Sequence, residues 1–308
     1  MRRKRPRFCG ERSSKDGRIK KVSIRRDAPV WVCLALILLL LILPTGFEDN
    51  RVFQESDIRP ALVLSTDESM VIDTGLIRSG EQRCQLEILG GPFRGCRAEG
   101  RNMLNGSLEQ DKLFSAGDQA LVRINYQDGE ILNVSMIDYY RAPWELLLAG
   151  LFVMLLVVFA GRTGLRAVLS FALTVLMIWK VLVPQYLRGW NPVWVGLAIT
   201  LVLTVLIIAL MYGFDRRCAA AVSGSFLGIL VTCVMGGAFT GLFQIHGAVM
   251  SYSESLLYAG YQHLNLTQIF MASIFIGASG AVMDLAVDIT SAVYEVVEKR
   301  PELSRREA

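Results

Sequence analysis

Residues 28–47 read APVWVCLALILLLLILPTGF and contain no charged side chain. The hydrocarbon core of a bilayer is about 30 Å thick, so a helix needs roughly 20 apolar residues to cross it. The stretch therefore predicts a membrane span. A cleaved signal peptide would end in a small-residue site such as A-x-A. The residues Pro44-Thr45-Gly46-Phe47 match that pattern poorly, so we favour an uncleaved anchor.

The residues before this span, 1–27, are strongly basic and show no periodicity. We interpret them as a cytoplasmic tail without regular structure. A basic tail can bind nucleic acid. Beside an apolar span, it is more typical of a segment kept in the cytoplasm near anionic lipid. We therefore expect no nucleic-acid partner.

Further apolar runs follow later in the chain. With 53% hydrophobic residues and a mean hydropathy of +0.41, the chain has a composition that is rare among soluble globular proteins. The predicted spans after the anchor are 144–161, 167–187, 193–213, 218–243 and a last one from 267. The fold class is thus an α-helical multi-pass membrane bundle of about six transmembrane helices.

The basic residues in the loops that join the spans, and in the segment after the last span, test this topology. If the N-terminus is cytoplasmic, every second one of these joints is cytoplasmic as well. Those joints carry Arg162, Arg166, Arg216, Arg217, Lys299, Arg300, Arg305 and Arg306. The opposite loops carry Arg188, and Lys180 can extend towards the interface. This agreement with the positive-inside rule predicts that both termini are cytoplasmic.

Between spans one and two the pattern changes to that of β-strands. Cys84, Leu86 and Ile88 alternate with more polar neighbours, and a turn follows at 90–95. The strands predicted next, 119–126 and 131–139, are joined by a hairpin turn at Asp128-Gly129. Such short strands suggest a small β-barrel or sandwich of the oligomer-binding type. We expect one small β-rich extracytoplasmic domain between helices one and two.

These patterns define the predicted domains. They are the basic cytoplasmic tail 1–27, the transmembrane anchor 28–47, the β-rich extracytoplasmic domain 48–141, the five-helix transmembrane bundle 142–298 and the cytoplasmic C-terminal end 299–308.

Two of the six cysteines, Cys84 and Cys96, lie in the β-rich domain. An extracytoplasmic location is oxidising, so a disulfide between them is open. However, a simple hairpin centred near Gly91-Pro92 would pair Cys96 with Leu89 instead of Cys84. The other cysteines in or beside apolar spans are interpreted as small core residues.

Asp284 and Asp288 are the most prominent polar residues of the last span. They are four residues apart, so both face one side of a helix. Two such carboxylates repel each other unless a cation or a proton relieves them, which makes them a candidate ion or proton site. The alternative is structural, because Asp284 lies near the cytoplasmic end, where it could pair with an arginine of the joints.

Glycines form a second pattern in the last two spans. The glycines are Gly224, Gly228, Gly236, Gly237, Gly241, Gly277 and Gly280. Small residues at G-x-x-x-G spacing let two helices approach closely. The alternative is a broken helix that lines a substrate path, because the pair at 236–237 is a weak point.

Catalytic and metal motifs are largely missing. His246, Glu254 and His263 lie between the last two spans, but their spacing matches no recognised zinc pattern. We find no nucleophile elbow, phosphate-binding loop or dinucleotide fingerprint. We therefore expect no enzyme activity, no catalytic residue, no cofactor and no metal.

The run from Ile276 to Ala286, IGASGAVMDLA, resembles the G-A-x-G-A-V-M-D-V-A motif of YibE/F-like membrane proteins. Other stretches are similar to segments of the same family, and the likeness covers about residues 80–300. They are Ile88-Leu89-Gly90-Gly91-Pro92-Phe93-Arg94-Gly95 with Asn102, 117–122, 138–141, 161–166 and 213–217. The resemblance implies a multi-pass membrane protein of uncharacterised activity, with transport suspected.

Two departures from the family pattern stand out. Asp288 occupies a position where the family usually has Ser, so the resemblance implies only the first carboxylate. Such proteins also usually continue with further spans, whereas this sequence ends at residues 301–308, PELSRREA. By that comparison the chain resembles a fragment or a truncated reading frame.

Two hypotheses follow for the function. The chain is a permease, or a permease subunit, for an ion or small solute. Alternatively, it is a non-transporting envelope protein whose extracytoplasmic β domain binds a partner. In either case we expect it in the bacterial cytoplasmic membrane, with the lipid bilayer and an envelope protein or a second copy as partners.

Overall fold

The computed structural model describes residues 13–47, 56–108, 110–253, 256, 260–300 and 302, with side chains from residue 28 onward. The chain divides into two compact units. One comprises residues 49–154 and contains all the described strands. The other comprises residues 1–48 and 155–308, and its described residues are mainly helical.

The strand-containing unit is a closed five-stranded barrel. Its strands are β1 (Ser56–Asp73), β2 (Arg78–Ile88), β3 (Arg97–Asn105), β4 (Gln119–Gln127) and β5 (Glu130–Tyr139). They pair in the order β1-β2-β3-β5-β4, and β4 closes back on β1. Neighbours are antiparallel except for β3 and β5. Of the two architectures that the sequence left open, a small barrel or a sandwich, this confirms the barrel.

The hairpin from β4 to β5 forms as its sequence predicts. Asp128 and Gly129 have φ angles of 49° and 85°, which is the left-handed pair that a two-residue hairpin turn requires. The register predicted between β2 and β3 is wrong by one residue. Cys96 pairs with Ile88, since the amide of Ile88 donates to the carbonyl of Cys96 at 3.0 Å. The loop between these paired residues is therefore 89–95, one residue longer on the β2 side than expected.

The barrel interior is apolar apart from one amide network. Cys84, Leu86 and Ile88 are fully buried, which confirms the alternation predicted for β2. Gln82, two residues earlier, is also fully buried. Its Nε2 donates to the carbonyl of Phe114 at 2.8 Å, and its Oε1 accepts from the amide of Phe114 and from Asn102 Nδ2, each at 3.1 Å. These bonds fasten the segment that follows β3 to the inside of the barrel.

The helical unit consists mainly of long apolar helices. The described helices are α1 (Ser13–Ile42), α2 (Ala142–Met177), a π-helical turn (Ile178–Leu182), α3 (Val183–Leu187), α4 (Pro192–Tyr212), α5 (Arg216–Leu242), a 3-10 turn (Gly247–Val249) and α6 (Leu266–Lys299). The first part of α2, up to Met154, belongs to the other unit. Within the described residues, four helical stretches are long and apolar enough to cross a membrane. They are Ala142–Leu187, Pro192–Tyr212, Arg216–Leu242 and Leu266–Lys299, and Ala28–Ile42 is a shorter apolar helix.

The first of these stretches has 46 residues and is broken at Gly161, whose φ and ψ are 53° and −124°. A Cβ on Gly164 would lie only 2.2 Å from the carbonyl oxygen of Leu156. On a straight helix, residues eight apart are separated by about 12 Å. The chain therefore bends back sharply at Gly161.

The helix α1 is longer than the predicted anchor. It begins at Ser13, so the expectation that the whole tail 1–27 lacks regular structure is wrong for residues 13–27, and residues 1–12 lie outside the described part. Its apolar part packs into the helical unit, with Cys33 and Leu40 buried beside Leu173 and Leu210. This apolar segment is thus part of the helical unit.

Candidate functional site

The helix α6 positions both predicted carboxylates. It packs along α4 and α5 through Phe275, Met283 and Val287. These contacts determine which face of α6 is turned away from its neighbouring helices. Asp284 and Asp288 are exposed. In the part of the chain that the structure describes, neither carboxylate has a hydrogen bond or an ion pair.

A structural role for Asp284 would require an arginine as its partner. Two of the candidate arginines bind other groups. The guanidinium of Arg217 lies over the ring of Tyr294, 3.0 Å from its centroid. Arg166 donates to the carbonyl of Leu210 at 3.4 Å. Because neither pairs with Asp284, the described residues give no support to a purely structural ion pair for that carboxylate.

A cavity of about 240 Å³ lies one turn before Asp284 in the helical unit, and it opens to the surface beside Gly277 and Gly280, which are exposed. Its walls come from the end of α2, the π-helical turn, α4 and α6. The residues of interest in its lining are Thr174, Ile178, Thr200, Thr204, Gly277 and Gly280. Two of the predicted glycines thus lie at this cavity.

Among the described residues, three of the four hydroxyl groups in the lining are hydrogen-bonded, and one is not. Thr174 donates to the carbonyl of Ser170 at 2.9 Å, Thr200 to Gly196 at 2.8 Å, and Ser279 to Ile276 at 2.6 Å. These are bonds within a single helix, typical of Ser and Thr in membrane helices. The hydroxyl of Thr204 is buried and has no partner among the described residues.

The π-helical turn contributes Ile178 and Leu182 to the same cavity. Such turns are rare and are frequent at functional sites. The turn is also tied to the end of α1, because Lys180 Nζ donates to the carbonyl of Leu43 at 3.3 Å. Close by in sequence, Arg188 donates to the carbonyl of Thr45 at 3.2 Å.

Four of the five glycines of α5 face α6. A Cβ on Gly228 would lie 2.5 Å from Val282, and one on Gly237 would lie 3.1 Å from Met271. Gly224 and Gly236 also face α6, at ordinary contact distance, whereas a Cβ on Gly241 would meet no described atom within 4 Å. The helix α5 is continuous through Gly236 and Gly237. The structure therefore favours the packing interpretation over a broken helix in this span.

The two cysteines of the barrel are both free thiols. Cys84 is fully buried in the core, whereas Cys96 is exposed at the end of the β2–β3 turn. Burial raises the pKa of the Cys84 thiol to about 11, with a smaller contribution from the charge of Glu68.

The register of the sheet explains why these two thiols are apart. Cys84 lies opposite Gly100 on β3, which is four residues beyond Cys96. Four residues of strand span about 13 Å, whereas a disulfide joins residues whose Cα atoms are at most about 7 Å apart. The pairing that the sequence left open therefore does not fit this barrel.

The remaining sequence candidates do not form a site in the described residues. His263 lies near Tyr261, and His246 precedes the 3-10 turn. Glu254 falls outside the described residues. Among those that are described, no group of three His, Cys, Asp or Glu side chains is placed to hold a metal ion.

The barrel carries a patch of exposed apolar side chains near the β1–β2 turn. Leu76 and Leu108 are 80% and 75% exposed, and both line a cleft of about 290 Å³. Ile72 and Met70, on β1, are also exposed. Exposed apolar patches of this kind are typical of interaction surfaces.

Four apolar helices of spanning length among the described residues are typical of multi-pass membrane proteins. The family described as YibE/F-like protein matches residues 148–308. The chain belongs to that family. Comparison with curated proteins and with solved structures found no match.

Proposed function

We propose that this chain is a permease, or a permease subunit, for an ion or small solute. One observation carries the proposal. The helix α6 presents two glycines at a cavity and, one turn later, the carboxylate of Asp284, which is unpaired among the described residues.

A carboxylate without a partner is costly at membrane depth unless it binds a proton or a cation. Asp284 is four residues beyond Gly280, which is about 6 Å along the helix. A solute in the cavity and an ion at Asp284 would therefore be close enough to influence each other. Such coupling is what a permease driven by an ion gradient requires.

The proposed topology has six crossings with a cytoplasmic N-terminus and an extracytoplasmic barrel. The 46-residue stretch would be about 69 Å long as a straight helix, more than twice the hydrocarbon core. The bend at Gly161 supports two crossings within it. The basic joints then lie on the cytoplasmic side, as the positive-inside rule requires.

The test is the thermal stability of the purified chain in detergent against Na⁺, K⁺, Mg²⁺, Ca²⁺ and a range of pH. A ligand that binds only the folded state raises the melting temperature by mass action. We expect one cation, or protons, to stabilise the wild type but not Asp284→Asn. The control is Glu298→Gln, which also removes an exposed carboxylate from α6. If Asp284→Asn and the wild type respond alike to every cation and pH, Asp284 is not an ion site.

The exposed patch at Leu76 and Leu108 supports a second candidate, an envelope protein whose barrel binds a partner. A photo-crosslinking residue at position 76 in living cells would then give one defined adduct. Leu108→Asp should remove that adduct, whereas Asp284→Asn should leave it unchanged. Random or missing adducts would count against this candidate.

A further inference from the structure

The exposed apolar side chains of the barrel are concentrated at one of its ends. Among the described residues of the barrel, six large apolar side chains are more than half exposed, and one of these, Leu132, lies on β5 near the β4–β5 turn. The other five lie around the β1–β2 turn and the end of β3, and we call them the end patch: Met70, Ile72, Leu76, Met103 and Leu108. A concentration of this kind is typical of a contact surface.

The β1–β2 hairpin, which carries three residues of the end patch, extends beyond the barrel core. No residue from Asp67 to Glu81 is buried, whereas Gln82, the next residue of β2, is fully buried. The sheet register places Met70 opposite Glu81, and Glu81 opposite Met103, so the two methionines project from the same face of the sheet. The end patch is therefore formed largely by a projecting part of the sheet that the core does not cover.

The chain leaves the barrel for its first helix of spanning length at this same end. The strands β3 and β5 run parallel, and beyond their paired residues each continues for four more residues, to Asn105 and Tyr139. Asn105 pairs with Ser79 on β2, and Ser79 pairs with Ile72 of the end patch. The end of β5 is therefore level with the end patch, three strand spacings or roughly 14 Å across the sheet.

The start of α2 indicates how close this end of the barrel is to the membrane surface. The helix begins at Ala142, three residues after β5 ends, and its first part, up to Met154, belongs to the same unit as the barrel. Trp144, in its first turn, is 73% exposed, and exposed tryptophan at the start of a span is typical of the level of the lipid head groups. Three residues of extended chain reach about 10 Å, so the head groups lie within about 10 Å of the end of β5.

The junction between β5 and α2 is held by side chains. Lys112 pairs with Asp138 at 2.5 Å, and the hydroxyl of Tyr139 donates to the carbonyl of Leu113. These bonds fasten the segment that carries Leu108 to the last residues of β5. Leu108 is therefore kept at the end of the barrel where α2 begins.

From the strand register and the start of α2 we infer that the end patch lies in the head-group region of the lipid leaflet next to the start of α2. An apolar surface held at that level buries its side chains in the lipid interface, as the apolar face of an interfacial helix does. The inference goes beyond the permease proposal and does not depend on it. It also accounts for the exposed patch without a protein partner.

The charges beside the end patch indicate that this contact is apolar and not ionic. The adjoining cleft contains two acidic residues and one basic residue. Asp73 accepts a hydrogen bond from Arg78 at 2.8 Å, and Asp111 accepts one from the amide of Ser107 at 2.8 Å. A surface without excess basic charge does not select anionic lipid. A membrane of neutral lipid should therefore be sufficient for the contact.

The test uses the full chain in phosphatidylcholine nanodiscs, one copy per disc, with a bimane fluorophore on one introduced cysteine. The reporters are Leu76→Cys and Leu108→Cys, and either one serves if the other does not fold. The matched control is Leu132→Cys, at the opposite end of the barrel. Cys9 and Cys96 are replaced by Ser, and the chain without a reporter gives the background.

Quenching is measured with a lipid that carries a nitroxide near its head group and, separately, with iodide in the water. We expect the labels at positions 76 and 108 to lose fluorescence to the lipid nitroxide and to be protected from iodide. The label at position 132 should show the reverse.

The variant Leu76→Asp tests whether apolar burial holds the barrel in place. A carboxylate is costly to bury in lipid, so this variant should release the end patch, and a label at position 108 should lose its lipid quenching. The matched variant Leu132→Asp should leave the quenching at position 108 unchanged.

Three outcomes would overturn the inference. Iodide quenching at positions 76 and 108 equal to that at position 132 would mean that the end patch faces water and is free for a protein partner. Protection from both quenchers would mean that protein covers it. Lipid quenching at position 108 that persists in Leu76→Asp would mean that the apolar surface does not hold the barrel to the membrane.

Discussion

Gln82 in the barrel and Thr204 in the helical unit are both polar side chains in apolar surroundings, but their hydrogen bonding differs. Gln82 is fully buried, and both ends of its amide are bonded. Thr204 is as deeply buried, and its hydroxyl has no partner among the described residues that surround the open cavity. The barrel uses its buried polar group to hold a segment in place, whereas the buried hydroxyl of Thr204 holds nothing among the described residues.

The same contrast appears in how the two units fill space. In the barrel, Gly100 lies so close to Leu86 that a Cβ would be 2.3 Å from its side chain. In the helical unit, Gly277 and Gly280 border the cavity. The barrel is therefore closely packed around Gly100, whereas Gly277 and Gly280 are exposed beside an open cavity between the helices.

The largest effect is expected for the cysteines of the barrel. An impermeant thiol reagent added to intact cells should label Cys96, which is exposed, and should leave Cys84 unlabelled until the protein is denatured. Burial and the raised pKa both keep the Cys84 thiol unreactive. Labelling is read by mass spectrometry, with Cys96→Ser as the control.

Two outcomes would contradict this prediction. Equal rates for Cys84 and Cys96 in the native protein would show that the barrel opens readily. Labelling of Cys9 from outside without labelling of Cys96 would reverse the proposed topology.

The next largest effect is expected for Gln82→Leu. The change leaves the amide and the carbonyl of Phe114 unpaired inside the barrel. Each such group costs about 1–3 kcal/mol, so we expect a loss of about 3–5 kcal/mol in the free energy of opening of β2 and β3. Native-state hydrogen exchange of the full chain measures it.

The control for that change is Gln85→Leu, an exposed position on the same strand. Its effect should stay within about 0.5 kcal/mol. Similar losses in both variants would mean that the amide network does not close the barrel.

A smaller effect is expected for packing between α5 and α6. Gly228→Ala places a methyl group against Val282, and overpacking of this kind costs about 1–3 kcal/mol. Gly241→Ala has room and should be neutral or stabilising by up to about 1 kcal/mol. Thermal unfolding in detergent compares the two, and the reverse order would contradict the packing described for α5.

The smallest effect concerns pH. The pKa of Cys84 is about 11 in the folded barrel, above the value of 9.0 for a free thiol. The resulting stabilisation is fully present below pH 9 and is lost as the pH rises through 11, because only the unfolded chain ionises in that interval. At about pH 10 the loss should be about 1 kcal/mol, measured by hydrogen exchange as the difference between wild type and Cys84→Ala. Parallel pH profiles for the two proteins would refute it.

Much of the barrel could be predicted where local chemistry decides the structure. Asp128-Gly129 determines one hairpin, and the alternation around Cys84 determines the inner face of β2. The long strand β1 could not be predicted in the same way. It contains two register shifts, between Val63 and Ser65 and between Asp67 and Met70, and these interrupt the alternation on which a prediction depends.

The helical unit is predictable in a different sense. Charge is rare in apolar spans, so Asp284 and Asp288 stand out in the sequence. The cavity cannot be recognised in the sequence in this way. Residues facing lipid and residues facing other helices are equally apolar, so they give no periodic signal. The spacing of Thr200 and Thr204, one turn apart within an apolar helix, was the available signal for it.

The bonds from Lys180 to Leu43 and from Arg188 to Thr45 join residues that are 137 and 143 positions apart. Ribosomes add about 5–20 residues per second, so Lys180 and Arg188 are synthesised roughly 7–30 s after α1. Throughout that time the whole barrel and α2 are made between them. The helix α1 is therefore made early but acquires these contacts late. It can reach its final position only after the segment that contains Lys180 and Arg188 has been synthesised.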